Sequence, residues 1–214
     1  MNSNESAYKF FSSTDQKKID RRTFFTQTVG YTAGLSLLAF PWIKTEILAA
    51  QANKSKEEIW KELEVKVDKF MPMYRTCSQA SFAALNEQFE LKADQIIPAL
   101  MPFAGGIAGK GETCGAVSGS LLAIGFFFES INQKGNKQAV SPIKYGGMFF
   151  DRFEKEFGST RCKEVVKHQY GRYYDFLNPE EQKLFMAESQ KSPKCTEVIK
   201  KAVLIAGDII LKKF

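Results

Sequence analysis

Along most of the chain the hydrophobic positions repeat with the period of helices. Ser55-Lys56-Glu57-Glu58 has the capping-box arrangement, with Glu three residues after Ser. Ile59, Leu63, Val67 and Phe70 then recur at helical spacing, which predicts an amphipathic helix over 55–71 that Pro72 ends. A second helix is predicted from Thr76 to Phe89, with Ala80, Ala83, Ala84 and Leu85 on its faces. A shorter one covers 93–101, bent at Pro98. The glycine loop Gly105-Gly106-Ile107-Ala108-Gly109-Lys110-Gly111 opens into a strongly apolar helix, Cys114 to Phe128, and the polar stretch Asn132 to Ala139 reads as a surface loop. Further helices are expected at about 142–157, 160–174, 179–189 and 193–212. No stretch has a strand pattern, no βαβ alternation occurs, and no segment repeats. The expected class is all-α, a compact helical bundle of about six to eight helices.

The first 52 residues follow a different pattern. Asp20-Arg21-Arg22-Thr23-Phe24-Phe25 sets two arginines before an aromatic pair, and a run without charge extends from Thr23 to Ile43. Ala50-Gln51-Ala52 is a small-x-small site suited to signal peptidase. Basic start, apolar middle and small-residue exit are the three parts of a secretory signal. The adjacent arginines, with an apolar run diluted by Gly, Thr and Ser, resemble the twin-arginine type. A permanent anchor needs about 20 predominantly apolar residues, whereas Gln27, the threonines and glycines and Pro41 interrupt this run. The expectation is a signal peptide and cleavage region over 1–52, handled by the twin-arginine translocase, then a helical domain over 53–214. The product would be periplasmic or otherwise exported, with no stable membrane span after cleavage. Resemblance to known substrates of that route implies a protein folded before export, in many cases because a metal cofactor is inserted in the cytoplasm.

Composition narrows the chemistry. The 214 residues are 44% hydrophobic and 25% charged, which suits a soluble domain with a real core. The net charge of +6 divides into +2 over residues 1–52 and +4 over the rest, with no basic run, so no nucleic-acid partner is expected. His168 is the one histidine, which excludes a His-rich metal site and a bis-histidine haem. It lies six residues beyond Cys162 and is expected at the surface or in packing. Phe126-Phe127-Phe128, Tyr170, Tyr173 and Tyr174 are expected to pack the core and rim. Lys110 and Glu112 beside Cys114 are expected to be solvated. No nucleophile–base pair or paired carboxylates stand at informative spacing, so no catalytic residue is named.

Four cysteines remain, Cys77, Cys114, Cys162 and Cys195. There is no Cys-x-x-Cys, which argues against thioredoxin-like chemistry, a zinc ribbon and covalent haem c. Each cysteine follows a helix-start signal: Thr76, Thr113, Ser159 with Thr160, and Ser192 with Pro193. A thiol in the first turn of a helix meets free N–H groups and the positive end of the dipole, which favour thiolate. Arg75, Arg161, Lys163 and Lys194 adjoin three of the four and would push the same way. Four converging helix N-termini would suit an iron–sulfur cluster, which Cys thiolates hold. An even number of cysteines in an exported protein suits two disulfides equally well.

The segment from Gly105 through Cys114-Gly115-Ala116-Val117-Ser118-Gly119 resembles the redox-active family named for its Cys…Gly-Cys-Ala-x-x-Gly…Cys…Cys signature. Cys77 in Thr-Cys-Ser-Gln-Ala, Cys162 in Gly-Ser-Thr-Arg-Cys and Cys195 in Lys-Cys supply the other three cysteines in order. Gly115 stands between Cys114 and Ala116, where the signature has Gly before Cys-Ala, a variant of the same motif. The resemblance covers about residues 65–212. It implies a helical fold and a redox role, and a related domain in some cytochromes holds an iron–sulfur cluster. It thereby favours Cys77, Cys114, Cys162 and Cys195 as cluster ligands and an electron-transfer protein with a redox partner protein of unknown identity. A disulfide-stapled binding or structural protein and a metal-free thiol–disulfide sensor are the alternatives. Gly115 and Gly119, with Ser118, give the Cys114 helix a small face that lets another helix or a cluster approach. The preceding glycine run would present backbone N–H groups to cluster sulfurs.

Overall fold

Seven α-helices and one 3-10 segment account for the secondary structure of the described residues, 54–132 and 141–212 of a computed structural model. The signal-peptide reading and most of the polar-loop reading fall on residues 1–53 and 133–140, outside the described part. Residues from Ser55 onward form one compact unit.

Helix α1, Lys56–Tyr74, starts on the capping box expected of it: Glu58 N–H donates to Ser55 Oγ at 3.2 Å, and Ser55 N–H to Glu58 Oε2 at 2.7 Å. It buries Ile59, Leu63, Val67 and Phe70. Pro72 does not end it, contrary to expectation. The proline costs one ladder bond near the C-terminus, and Tyr74 still completes the last turn by stacking on Phe70 with ring centroids 5.9 Å apart. The helix stops at Arg75, in the left-handed region at φ 58°.

Helix α2, Cys77–Gln88, is enclosed on nearly every side, with Ser78 through Asn86 all buried. Its polar side chains hold the following 3-10 segment, Asp94–Phe103. Ser78 Oγ donates to Leu100 O at 2.8 Å and Gln79 Nε2 to Ile97 O at 3.0 Å. Pro98 and Pro102 supply no N–H there, and the α2 side chains give two carbonyls of the segment partners from outside it.

Helix α3, Gly115–Asn132, forms the most extensive helix pair of the fold with α2. It runs four residues beyond the predicted end at Phe128. By length and composition it could cross a membrane, and half of it is buried inside the fold, as befits a core helix. Phe127 and Phe128 are buried in the core, whereas Phe126 is exposed. Helix α4, Pro142–Phe157, has Pro142 at its first turn and stops on left-handed Gly158. Helix α5, Cys162–Tyr170, is shorter than the predicted 160–174 because Gly171, at φ 79°, caps it. Helix α6, Pro179–Lys191, buries no residue completely and meets its neighbours through Phe185, whose ring packs against Tyr170, Tyr174 and Phe176. Helix α7, Lys194–Leu211, returns through the core and buries Val198, Ile199, Ala202, Val203, Ile205, Ala206, Ile209 and Ile210. Phe82, Phe128, Phe149 and Phe153 lie fully inside, each stabilising the fold by roughly 1.5–3 kcal/mol through burial.

A single piece of sheet geometry ties two of these helix starts together. Thr113 and Arg161 form an isolated antiparallel bridge between the chain entering α3 and the chain entering α5.

Candidate functional site

All four cysteines lie at helix N-termini, as their neighbours in the sequence suggest. Cys77 and Cys162 are the first residues of α2 and α5, Cys195 is the second of α7, and Cys114 immediately precedes α3. Cys114 and Cys162 are buried, Cys77 and Cys195 half-buried, and all four are free thiols.

The isolated bridge draws two of them together. Cys114 N–H donates to Thr160 O at 2.8 Å, and Cys162 N–H to Glu112 O at 2.6 Å. Outside this bridge Arg161 closes a two-oxygen ion pair on Glu112, both bonds at 2.9 Å, so Glu112 is more than a solvated neighbour. On the inside the Cys162 and Cys114 thiols are close enough for hydrogen bonding to favour the anion at Cys114 and the proton at Cys162. Cys77 comes in from α2, and glycine makes room for it. A Cβ on Gly115 would lie 3.1 Å from the Cys77 Cβ, and one on Gly119 would lie 2.3 Å from Ser78 O and 2.2 Å from Ser81 Oγ. The small face of α3 is therefore filled by α2.

The glycine loop has a different role from the one expected. Gly105, Gly106, Ile107, Ala108 and Gly109 all have positive φ, from 50° to 74°, a left-handed turn of five consecutive residues. Such a run is costly for the non-glycine members, about 1–2 kcal/mol each. The N–H groups of Ile107 through Glu112 all donate to backbone carbonyls between Pro102 and Ile107 and so are already used. The loop also wraps the start of α5: Lys163 N–H donates to Gly111 O at 3.0 Å, and a Cβ on Gly106 would lie 2.5 Å from the Cys162 Cβ. Its glycines let the chain press against a cysteine.

The electrostatics of the four thiols are mutual. Cys114 has its pKa lowered, first by the hydrogen bond from Cys162 and then, against the cost of burial, by the N–H groups of Ala116 and Val117 in the first turn of α3. Cys162 is pushed well up by giving that bond, by burial and by the charges of Cys114, Cys77 and Cys195. Burial, then Cys195 and Cys114, push Cys77 well up. Cys195 rises to about 12 through burial and Cys114, with the Tyr170 hydroxyl pulling the other way. Each of these thiols feels at least one of the others, so folding gathers residues spaced over more than a hundred positions into one electrostatic neighbourhood.

Two expectations are corrected by this arrangement. Thiolate is favoured only at Cys114, first by the bond from Cys162 and after it by the amides of the first turn of α3. Burial and mutual repulsion outweigh the helix N-termini at the other three. Two of the adjoining cations are engaged elsewhere: Arg161 pairs with Glu112, and Lys194 Nζ donates to Gln169 O at 2.6 Å and sits 5.4 Å above the Tyr170 ring.

Tyr170 is a site residue that sequence pattern alone assigns to general packing. Its hydroxyl accepts from Cys195 N–H at 3.2 Å, donates to Ser192 O at 3.1 Å, and stands within hydrogen-bonding reach of the Cys195 thiol. Its own pKa is raised by burial and by Cys195. Only the aromatic repeat at 170, 173 and 174, close behind a cysteine helix, points to it. His168 lies exposed on α5, as expected.

A set of four sulfur donors suits soft metals, zinc or iron–sulfur centres. Among the described residues, no three His, Cys, Asp or Glu side chains stand close enough to share one metal ion.

Among known proteins, a chain from Archaeoglobus fulgidus named "Uncharacterized protein" is 27% identical over 141 residues, which cover 61% of this chain and 82% of that one. No solved structure matches. The family described as "Putative redox-active protein (C_GCAxxG_C_C)" matches residues 75–209, through all four cysteines, and the chain belongs to that family.

Proposed function

We propose that this redox-active protein is an exported electron carrier whose four cysteines, Cys77, Cys114, Cys162 and Cys195, hold one iron–sulfur cluster. The observation that carries the reading is the mutual electrostatic coupling of four thiols at four helix starts, three of them held neutral by burial and by one another. A group of thiols that cannot all ionise alone needs positive charge from outside to become four thiolates, and a metal centre supplies it. Four thiolates suit zinc or an iron–sulfur cluster, and the redox character of the family favours the cluster, because zinc carries no redox chemistry.

When bound, the cluster would take up or release one electron at a time from a redox partner protein. The chain's own residues bind and shield it: the bridge between Thr113 and Arg161 fixes two ligands, Gly115 and Gly119 let α2 bring a third, and α7 brings the fourth. Export through the twin-arginine translocase to the periplasm rests on the Arg21-Arg22 segment and fits a cofactor loaded before translocation. Anaerobic purification tests the reading. A brown protein with iron and acid-labile sulfide in equal amounts supports it, and a colourless protein free of both rejects it.

The hydrogen bond between Cys162 and Cys114 favours one second reading, a thiol–disulfide sensor. There the Cys114 thiolate would attack a disulfide of a partner and Cys162 would resolve the mixed disulfide. Two protein thiols become one disulfide and the partner's disulfide becomes two thiols. A loss of two hydrogens in mass, mapped to the peptides of Cys114 and Cys162, identifies that reaction.

A further inference from the structure

We infer that Tyr170 is the positioning residue for Cys195: its hydroxyl takes the place of a missing helix cap and locks the first turn of α7 against the thiol site. The inference deepens the four-cysteine reading, and only one arm of its test depends on that reading.

The start of α7 lacks a cap of its own. Its N-cap is Pro193, which makes no side-chain hydrogen bond to the free amides of the first turn. The preferred N-cap residues Ser, Thr, Asp and Asn would satisfy one of those amides locally. Here the Cys195 amide is satisfied from 25 residues away, by the Tyr170 oxygen at 3.2 Å. The same hydroxyl donates to Ser192 O at 3.1 Å, so it grips the chain on both sides of Pro193. Such a bond to the residue before the proline and another to the residue two beyond it fix the direction in which Cys195 leaves the turn.

The other end of this clamp is equally well placed. Tyr170 closes α5, the helix that Cys162 opens, so one nine-residue helix, roughly 12 Å long, joins two site cysteines. Side chains on a helix lean toward its N-terminus, and the Tyr170 ring accordingly leans back toward the thiols. The ring is held without help from its hydroxyl. Phe185 packs on it edge-to-face at 5.6 Å, Tyr174 at 6.3 Å, and Lys194 Nζ sits over its face. Cys114 and Cys162 have their amides fixed by backbone carbonyls across the bridge, whereas the Cys195 amide is fixed by a side chain. Removing one oxygen atom therefore loosens one ligand and leaves the rest of the site in place.

The test uses the full chain with Tyr170→Phe, which keeps the ring cage, and Tyr174→Phe as the control that removes a neighbouring hydroxyl. In metal-free protein, amide hydrogen exchange over the peptide containing residues 192–197 quickens about fivefold in Tyr170→Phe, the fold-change matching one hydrogen bond of about 1 kcal/mol. It stays at the wild-type rate in Tyr174→Phe. In anaerobically loaded protein, Tyr170→Phe loses iron to a chelator several-fold faster than wild type, with unchanged circular dichroism. Wild-type exchange and iron retention in Tyr170→Phe overturn the inference, as does an equal effect of Tyr174→Phe, which would mean ordinary packing. Should Tyr170→Phe fail to fold, a fast-exchanging Cys195 amide in wild type overturns it and a protected one upholds it. A wild type that binds no iron sinks the cluster reading alone, because the exchange arm still decides the clamp.

Discussion

Helix α7 carries an acidic group near each end, Asp208 buried and Cys195 half-buried, and the two are treated in opposite ways. Asp208, 3% exposed, lies near the C-terminus, where the helix dipole disfavours an anion. It is nevertheless held at a pKa of about 2, because Lys56 from α1, Arg152 from α4 at 2.8 Å and Lys212 at 3.2 Å surround it and overcome the cost of burial. Cys195 lies at the N-terminus, where the dipole favours an anion, yet its thiol is pushed up to about 12. The shift from the ordinary value of 9.0 corresponds to roughly 4 kcal/mol. A helix dipole contributes about 0.3–1 kcal/mol, and up to about 2 in favourable sites. Burial and the neighbouring Cys114 win at one end, and three cations win at the other. One end of the bundle completes its own charge balance, and the thiol end leaves the balance to whatever binds there.

The strongest test of this contrast removes ligands. Serine at Cys77, Cys114, Cys162 or Cys195, one at a time, is expected to lower iron content of the anaerobically purified protein by at least about tenfold in every case. Loss in only two of the four variants would break the view of a single ligand set.

Alkaline titration of the metal-free protein comes next. The native thiol of Cys195 keeps its proton above the pH at which the unfolded thiol loses it, so its stabilising contribution is complete below about pH 9. It declines as pH rises from there toward about 12. The slope expected from Cys195 alone is about 1.4 kcal/mol per pH unit, read from denaturant midpoints, and Cys195→Ser should lower the measured slope by about that much, leaving the share of Cys77 and Cys162.

The close approach of α2 and α3 is the packing that brings Cys77 in. Gly119→Ala would place a Cβ 2.3 Å from a backbone oxygen and is expected to destabilise the fold by about 3 kcal/mol. Gly147→Ala, on α4 with nothing within 4 Å, should stabilise by about 0.5–1 kcal/mol, and the pair measured by urea unfolding separates packing from helix propensity.

A modest effect is expected at the other end of α7. Asp208 has a depressed pKa, so its contribution is present above about pH 4 and fades as pH falls toward about 2. Its partners are partly solvated, which limits the loss to about 1–2 kcal/mol. Asp208→Asn should remove this acid dependence and leave the alkaline slope intact.

Local signals make most helices legible. The capping box at Ser55 and the helical spacing of Ile59, Leu63, Val67 and Phe70 act as expected, and α4 and α7 lie close to the ranges expected for them. The shifted boundaries have local causes too: Pro72 is tolerated in a last turn, and Gly171 stops α5 four residues early. The four cysteines and the small face of Gly115 and Gly119 are readable because motif spacing marks them. What escapes the sequence is decided by distant contacts. The Tyr170 hydroxyl reaches a residue 25 positions on, Arg161 turns to Glu112 rather than to a thiol, and left-handed geometry at Ile107 and Ala108 has no local signature. Adjacency along the chain tells which residues meet a helix start and nothing about which way their side chains turn.

Whether four thiols act as one ligand set is decided by native mass spectrometry of the anaerobically purified protein. A polypeptide carrying the mass of a single iron–sulfur cluster in place of its thiol protons is expected. A bare polypeptide, or one four hydrogens lighter with two disulfides, would refute the single ligand set.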